Sequence, residues 1–156
     1  MTDKIHRYEH QAMSTVFELM IVTDEARLAQ SAAHMVFQKV DKLEELFSRF
    51  LDVSEVALIG RLAPGETFRV SPETMDLLLT ATQVCAATGG GFDVTVGTVM
   101  DALRGVKHRW QALTPQERDA ALAACGMNRL VIDTQNLLVA VDRKSTRLNS
   151  SHESPS

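Results

Sequence analysis

The chain has 156 residues, of which 45% are hydrophobic and 23% are charged, and its formal net charge at pH 7 is −4. This is enough chain for one domain with a sizeable core, and the composition is ordinary for a globular protein. Because the net charge is negative, overall electrostatic attraction does not favour binding to nucleic acid or to an anionic membrane. No apolar run approaches the roughly 18 residues that a membrane span needs.

Residues 1–12 are polar and charged, so the sequence as given opens without a signal peptide, and we expect a cytoplasmic location. Cys85 and Cys125 are single residues in helical patterns. We interpret both as core residues, neither metal ligands nor disulfide partners.

The first predicted element is a strand from Met13 to Val22, which is rich in apolar and β-branched residues. The segment 23–25 then supplies an N-cap and first-turn acids for a long helix. A broad apolar stripe follows that helix, formed by Leu28, Ala32, Met35, Val36, Lys39, Val40, Leu43, Leu46, Phe47 and Phe50. Ser54 is expected to cap a short helix that runs through Ile59.

Further helices are predicted from their end signals. One starts at Ser71, where proline and an acid follow the capping serine, and stops at Gly89. A short helix covers residues 96–103. Another begins with the capping box at 114–117 and is closed by Gly126.

Residues 130–133 and 137–141 are predicted to form a β-hairpin, and residues 67–70 a brief extended piece. We expect the second hairpin strand to have no partner beyond its own hairpin, which leaves an exposed edge that favours association. The predicted fold class is therefore α+β, with a strand, a long helix, further helices and a terminal β-hairpin. Residues 143–156 carry one aliphatic residue and five serines, so we expect a disordered, non-native tail.

The chain is organised around residues 88–97, which read Thr-Gly-Gly-Gly-Phe-Asp-Val-Thr-Val-Gly. Glycine is tolerated where the backbone takes positive φ or where a ligand approaches closely. The stretch either caps the preceding helix and runs on as a loop and a short strand, or forms a turn that presents Asp93. The spacing matches no known phosphate loop. An acid in such a turn suits a hydroxyl or amide donor of a ligand, or a bound cation.

Three segments together resemble one family, the FAD:protein FMN transferases, or ApbE-like flavin transferases. Residues 13–17 resemble the family's Met-Gly-Thr-x-Phe strand, with Ser14 where glycine is usual. Residues 47–55 resemble its Ser-x-Tyr/Phe…Ser-Glu stretch, with Gly60 where an asparagine is usual. Residues 88–97 are similar to its Thr-Gly-Gly-x-Phe-Asp-x-Thr-Val-Gly-Pro motif, with Thr98 in place of proline. The third segment is long and specific.

The resemblance implies an enzyme that binds FAD, cleaves its pyrophosphate with the help of Mg²⁺, and transfers FMN to a threonine hydroxyl of a partner flavoprotein. By the family pattern, Met13, Phe50, Gly91, Phe92 and Asp93 would contact the flavin nucleotide. Met13 and Phe50 can supply apolar and stacking surface, and Asp93 can accept hydrogen bonds. No catalytic residue and no metal ligand is assigned in this chain.

The family's glycine-lysine-glycine segment, its later metal-binding acid and threonine, and its histidine motif have no counterpart here. We therefore expect residues 1–142 to be the N-terminal part of a domain about twice as long. On this interpretation, the 156-residue chain transfers no FMN and binds FAD weakly or not at all.

Two other interpretations remain open at this stage. One is a small, non-catalytic ligand-binding α+β module, since the histidines have no obvious serine or cysteine partner at a meaningful spacing. The other is an interaction domain that uses the long helix as a partner surface. A response to FAD with Mg²⁺ distinguishes the flavin-transferase interpretation from both.

Overall fold

The computed structural model describes residues 4–142, so the expectation of a disordered, non-native tail at 143–156 lies outside the described residues. Within them the protein has five α-helices and two small antiparallel sheets, which confirms the predicted α+β class. The chain divides into two compact units between Ala57 and Leu58. Each unit is described by itself.

The first unit consists of a β-hairpin and one long helix. Strands β1 (Lys4–Ala12) and β2 (Thr15–Thr23) pair antiparallel along their whole length, from Lys4 opposite Thr23 to Ala12 opposite Thr15. Helix α1 (Ala26–Phe47) follows and contacts both strands. The hydrophobic pattern does not predict β1. Its half-buried positions include His6, Tyr8 and His10, which are not apolar.

The hairpin turns through Met13 and Ser14, so β2 begins two residues later than the predicted strand from Met13 to Val22. Both turn residues have positive φ angles, 51° and 61°. Two-residue hairpin turns of this kind match the right-handed twist of the strands, and they favour glycine or asparagine. This conformation favours glycine at position 14, which agrees with the glycine of the Met-Gly-Thr-x-Phe pattern that residues 13–17 resemble.

Polar contacts fasten the turn end of the hairpin to α1. The His10 ring stacks on Phe37 with 4.8 Å between centroids, and its Nε2 lies 2.6 Å from Oδ1 of Asp41. One helical turn further on, the carboxylate of Glu44 accepts a 2.9 Å hydrogen bond from the backbone N–H of Met13. The long helix therefore holds the turn that carries Met13.

The fully buried residues of helix α1 are not those of the predicted stripe, so the prediction of the buried face is wrong at these positions. Ala29 and Ala33 are its buried residues, and small side chains there let the helix lie close to the strands. Five stripe residues are exposed, namely Leu28, Met35, Val36, Lys39 and Phe50, the last of which lies beyond the end of the helix. The predicted cap is also different. Glu25 is the N-cap residue and makes no side-chain capping bond, while the hydroxyl of Thr23 accepts from the N–H of Glu25 before the helix starts.

The division between the units falls inside α2 (Glu55–Ile59), and the elements from α2 onwards run to Val141. After α2 they are β3 (Thr67–Arg69), α3 (Pro72–Ala87), α4 (Gly97–Gly105), α5 (Pro115–Ala123), β4 (Leu130–Asp133) and β5 (Leu138–Val141), with 3₁₀ turns at Trp110–Ala112 and Met127–Arg129. The predicted caps form at Ser71 for α3 and as a complete capping box at Thr114 for α5.

The sheet of the second unit has the strand order β3-β5-β4, with both pairings antiparallel. The expectation that the second hairpin strand lacks an outside partner is therefore wrong: Thr67 lies opposite Ala140, and Arg69 opposite Leu138. Strand β5 is central, and its Val139 is fully buried. The core that it joins also contains Ile59, Val70, Met75 and Leu78.

The loop between β4 and β5 is closed by Asp133. Its Oδ1 accepts from the backbone N–H groups of Gln135 and Asn136, each at 3.1 Å, and its Oδ2 accepts from the Asn136 side chain at 2.7 Å. These bonds, led by that of the Asn136 side chain, lower the pKa of the Asp133 carboxyl group. Leu137 then takes a φ of 55°, and its carbonyl accepts from the N–H of Val70 at 2.9 Å.

Replacement of Ser14 by glycine should stabilise the protein by about 1 kcal/mol, because a side chain at positive φ costs roughly 1–2 kcal/mol that glycine does not pay. Urea unfolding measures the difference. The control is Ser14→Ala, which keeps the Cβ atom and should bring no gain. A glycine variant no more stable than the alanine variant would contradict the strained-turn interpretation.

Acid should weaken the wild-type protein more than the Asp133→Asn variant. The folded-state pKa of Asp133 lies below its unfolded value, so its contribution to stability is fully present above the unfolded pKa. That contribution is lost as the pH falls through the folded pKa, below about 4. Asparagine keeps an acceptor for the loop amides but does not titrate. Urea midpoints at neutral pH and at about pH 3 test this, and equal acid losses in the two proteins would contradict it.

Candidate functional site

The glycine bend begins where α3 ends. Gly89 and Gly90 have φ angles of 57° and 85°, and their N–H groups donate to the carbonyls of Ala86 and Cys85 at 3.2 and 2.9 Å. This is the glycine-rich helix ending that left-handed residues permit. The helix cap and the loop of the first interpretation are therefore present, whereas its short strand is not, since residues 88–96 form no strand.

Thr88 closes the rest of the bend. Its carbonyl accepts from the N–H of Gly91 at 3.1 Å, and its hydroxyl accepts from the N–H of Phe92 at 3.0 Å while donating to the carbonyl of Val84 at 2.8 Å. All four amides from Gly89 to Phe92 are thus engaged inside the loop. A phosphate cradle built on these amides does not form here, in agreement with the mismatch to known phosphate loops.

Asp93 follows at a half-buried position. Its Oδ1 accepts two hydrogen bonds from Thr95, one from the backbone N–H at 2.7 Å and one from the hydroxyl at 2.6 Å. Its Oδ2 accepts no hydrogen bond from residues 4–142 and is not a buried atom. The two carboxylate oxygens therefore differ: one belongs to the loop, and the other is accessible.

Thr95 also joins the bend to the segment after α5. Its hydroxyl oxygen accepts a 2.6 Å hydrogen bond from the N–H of Gly126, a residue 31 positions further along the chain. Gly126 has a φ of 128°, a conformation that L side chains rarely adopt. Sequence analysis assigned no site role to Thr95 or Gly126, although one lies in the central motif and the other was recognised as a helix stop.

The solvent side of the bend is apolar. Phe92 and Val94 are each 44% exposed and Val96 is 38% exposed, whereas Asp93 and Thr95 between them are half-buried. The exposed side chains of the bend are therefore an aromatic ring and two branched residues, which alternate in sequence with Asp93 and Thr95. Such a surface suits a ligand that has both a ring face and hydrogen-bond donors.

Met13 and Phe50 belong to the first unit. Met13 lies at the tip of the β1–β2 hairpin and is 39% exposed. Phe50 lies in the loop after α1 and is 71% exposed, with the guanidinium carbon of Arg49 at 5.4 Å from its ring centroid. Both side chains are therefore accessible, as a ligand-contacting residue must be in the absence of its ligand.

The serines of the second resembling segment have structural roles. The buried hydroxyl of Ser54 donates to the carbonyl of Ser48 at 2.5 Å and accepts from the N–H of Ala57 at 3.0 Å. The hydroxyl of Ser48 accepts from the N–H of Phe50 at 3.3 Å. These bonds shape the loop between α1 and α2 and confirm the predicted capping role of Ser54. They leave Phe50 as the candidate ligand contact of this segment.

The structure brings Gly91, Phe92 and Asp93 together in one loop of the second unit, while Met13 and Phe50 lie on the first. Their assignment as flavin contacts stays a prediction. A shallow cavity of about 440 Å³ in the first unit is lined by Tyr8, Gln30, Ser31, Ala33, His34 and Phe37. None of the five predicted flavin contacts lines this cavity, so it is not the candidate site.

No three histidine, cysteine, aspartate or glutamate side chains between residues 4 and 142 are grouped so as to hold a metal ion. In the same part of the chain, no helix combines the length and the apolar character that crossing a bilayer requires.

Comparison with known proteins identifies one family. The model of the ApbE family matches residues 13–151. A search of curated proteins found no match.

Among solved structures, the fold is similar to that of the ApbE protein of Thermotoga maritima, with a TM-score of 0.74, 23% identity, and coverage of 90% of this chain and 45% of that one. It is also similar to the flavinyl transferase ApbE of Pseudomonas stutzeri, with a TM-score of 0.71, 18% identity, and coverage of 89% and 45%. For the flavin transferase ApbE of Vibrio cholerae, the TM-score is 0.71 and the identity is 21%, with coverage of 90% of this chain and 48% of that one. The chain thus spans less than half the length of each structure.

Replacement of Gly126 by alanine should destabilise the second unit by about 1–3 kcal/mol, because a side chain would be forced into a strained backbone conformation. Urea unfolding measures the loss. The control is Gly105→Ala at the end of α4, where φ is not positive and no atom lies within 4 Å of an added Cβ. It should be neutral or stabilising by up to about 1 kcal/mol. Equal effects at the two positions would contradict a special role for Gly126.

Proposed function

Because the chain belongs to the ApbE family, we propose that it is part of a flavin transferase that moves FMN from FAD to a threonine hydroxyl of an acceptor flavoprotein. The match of the family model over residues 13–151 is the observation that carries the proposal. The solved structures of similar fold from Pseudomonas stutzeri and Vibrio cholerae are described as flavin transferases, which supports it.

The proposed reaction exchanges the phosphoanhydride bond of FAD for a phosphoester bond to threonine. The threonine oxygen attacks the phosphorus of the FMN half of FAD, the bond from that phosphorus to the bridging oxygen breaks, and AMP leaves. The hydroxyl proton passes to a base, and we assign none among residues 4–142. Catalysis of this kind depends mainly on positioning and on stabilising the charge of the phosphates.

In this proposal the described residues bind and orient the nucleotide. Asp93 accepts a hydrogen bond from the ligand, the bend at Gly91 and Phe92 lies against it, and the accessible side chains of Met13 and Phe50 supply apolar and aromatic surface. Mg²⁺, when bound to such an enzyme, neutralises the diphosphate. No metal ligand is assigned among residues 4–142, where no three histidine, cysteine, aspartate or glutamate side chains are grouped.

We further propose that the 156-residue chain by itself transfers no FMN and binds FAD weakly. In support, it spans 45–48% of the length of the flavin transferase structures that it matches. The residues described here would then provide one part of the nucleotide site.

Two measurements test this. Millimolar FAD should shift the backbone NMR signals of Met13, Phe50 and residues 91–93 without saturating at micromolar concentration, because the flavin contacts only part of its full site. Transfer is followed by incubating the chain with FAD, Mg²⁺ and an acceptor flavoprotein, then looking for a fluorescent acceptor band after denaturing electrophoresis. The Vibrio cholerae flavin transferase serves as the positive control, and an acceptor with its target threonine changed to alanine as the negative one.

We expect small FAD-dependent shifts and no fluorescent acceptor band with this chain. If FAD shifts none of the five predicted contacts, the binding role is wrong and the non-catalytic module gains support. A fluorescent band formed as fast as with the control enzyme would confirm the reaction but contradict the proposed inactivity.

A further inference from the structure

The two carboxylate oxygens of Asp93 differ because Thr95 donates hydrogen bonds to only one of them. Oδ1 already accepts from the backbone N–H and the hydroxyl of Thr95, at 2.7 and 2.6 Å. Oδ2 accepts from no group in residues 4–142 and is not buried. A carboxylate has acceptor sites on both oxygens, so the second oxygen is the one that a ligand can use.

The orientation of the Thr95 hydroxyl is set from the opposite side. A hydroxyl has one proton to donate and lone pairs to accept with. The N–H of Gly126 occupies a lone pair at 2.6 Å, and the proton is then directed to Asp93. The segment after α5 therefore orients Thr95, and Thr95 orients Asp93.

The chemistry at the bend does not suit a phosphate. The N–H groups from Gly89 to Phe92, which could have bound one, all donate within the loop. A carboxylate oxygen would also repel a phosphate oxygen at hydrogen-bond distance. The accessible group is an acceptor, so its ligand must offer a donor.

We propose that Thr95 is a positioning residue that commits Oδ1 of Asp93 to the loop and thereby presents Oδ2 to an N–H or O–H donor of the flavin nucleotide, whose diphosphate is held elsewhere. The inference rests on the proposed function and adds which chemical part of the nucleotide this bend recognises. A ring N–H and a sugar or ribityl hydroxyl both provide the required donor.

The decisive variant is Asp93→Asn in the full 156-residue chain. Its side-chain oxygen can still accept from the two donors of Thr95, so the amide NH₂ group takes the place of Oδ2 and turns an acceptor into a donor. The exchange protection of the Gly126 amide should be unchanged. The affinity for FAD, measured by NMR titration, should fall by about tenfold or more, as for the loss of a hydrogen bond to a charged acceptor.

Thr95 is tested with a matched pair. Thr95→Val keeps the shape and removes the hydroxyl, so the Gly126 amide should exchange faster and the FAD affinity should fall. Thr95→Ser keeps the hydroxyl and should restore both. Rescue by serine separates the positioning role from general packing, because serine is the smaller and less complementary side chain.

Titrations of the wild-type chain with riboflavin, adenosine, pyrophosphate and MgCl₂ identify the recognised part. A shift of Asp93 and Thr95 with riboflavin or adenosine, and none with pyrophosphate, supports the inference and tells the two donor sources apart. A shift with pyrophosphate alone, or tighter FAD binding by Asp93→Asn, would mean that the bend holds a phosphate, and a shift with MgCl₂ alone would mean that it holds a cation. Either result overturns the inference.

The proposed function and the inference about Asp93 and Thr95 are contradicted by different results. If FAD shifts none of the signals of Met13, Phe50 and residues 91–95, the proposed function fails and the ligand role of Asp93 fails with it. If FAD shifts Met13, Phe50 or Phe92 while Asp93→Asn and Thr95→Val bind FAD as tightly as the wild type, only the present inference is wrong.

Discussion

The Thr95 hydroxyl is the contact on which the central loop depends. It links Asp93 to Gly126 across a large sequence separation, through two hydrogen bonds of 2.6 Å each. Without it, the hydrogen bonds left in the bend would be local ones, at the end of α3 and from the backbone N–H of Thr95 to Asp93. Because the same group is donor on one side and acceptor on the other, its rotation is defined, and so is the carboxylate that it contacts. A conformation that is fixed before the ligand arrives spares the free energy of ordering the loop on binding.

Sequence reasoning succeeded where a local signal decides the structure. The helix starts at Ser71 and Thr114 follow from capping chemistry and proline placement, and both are present with their side-chain bonds. The glycine bend was likewise recognised from its composition and from the specific motif around Asp93. In each case a few adjacent residues contain the whole physical cause.

Prediction from the sequence failed where a structural feature depends on residues elsewhere in the chain. Strand β1 carries histidines and a tyrosine at its half-buried positions, and one of them, His10, stacks on Phe37 of α1. Strand β3 has three residues, and its pairing depends on β5, which lies near the far end of the described chain. Thr95 escaped notice for the same reason, since its partner Gly126 is adjacent only in the folded protein. No local pattern specifies such contacts.

The central position of β5 has a consequence for the order in which the two units form. The first unit relies on neighbours in sequence, a hairpin followed at once by its helix, and such local contacts are quick to form. The core of the second unit needs Val139, and β3 must find its partner in the last strand described. During synthesis on the ribosome, where chains emerge from the N-terminus, the first unit can fold early. The second has to wait, with Val70 and Met75 uncovered, until the strand that completes its sheet has left the exit tunnel.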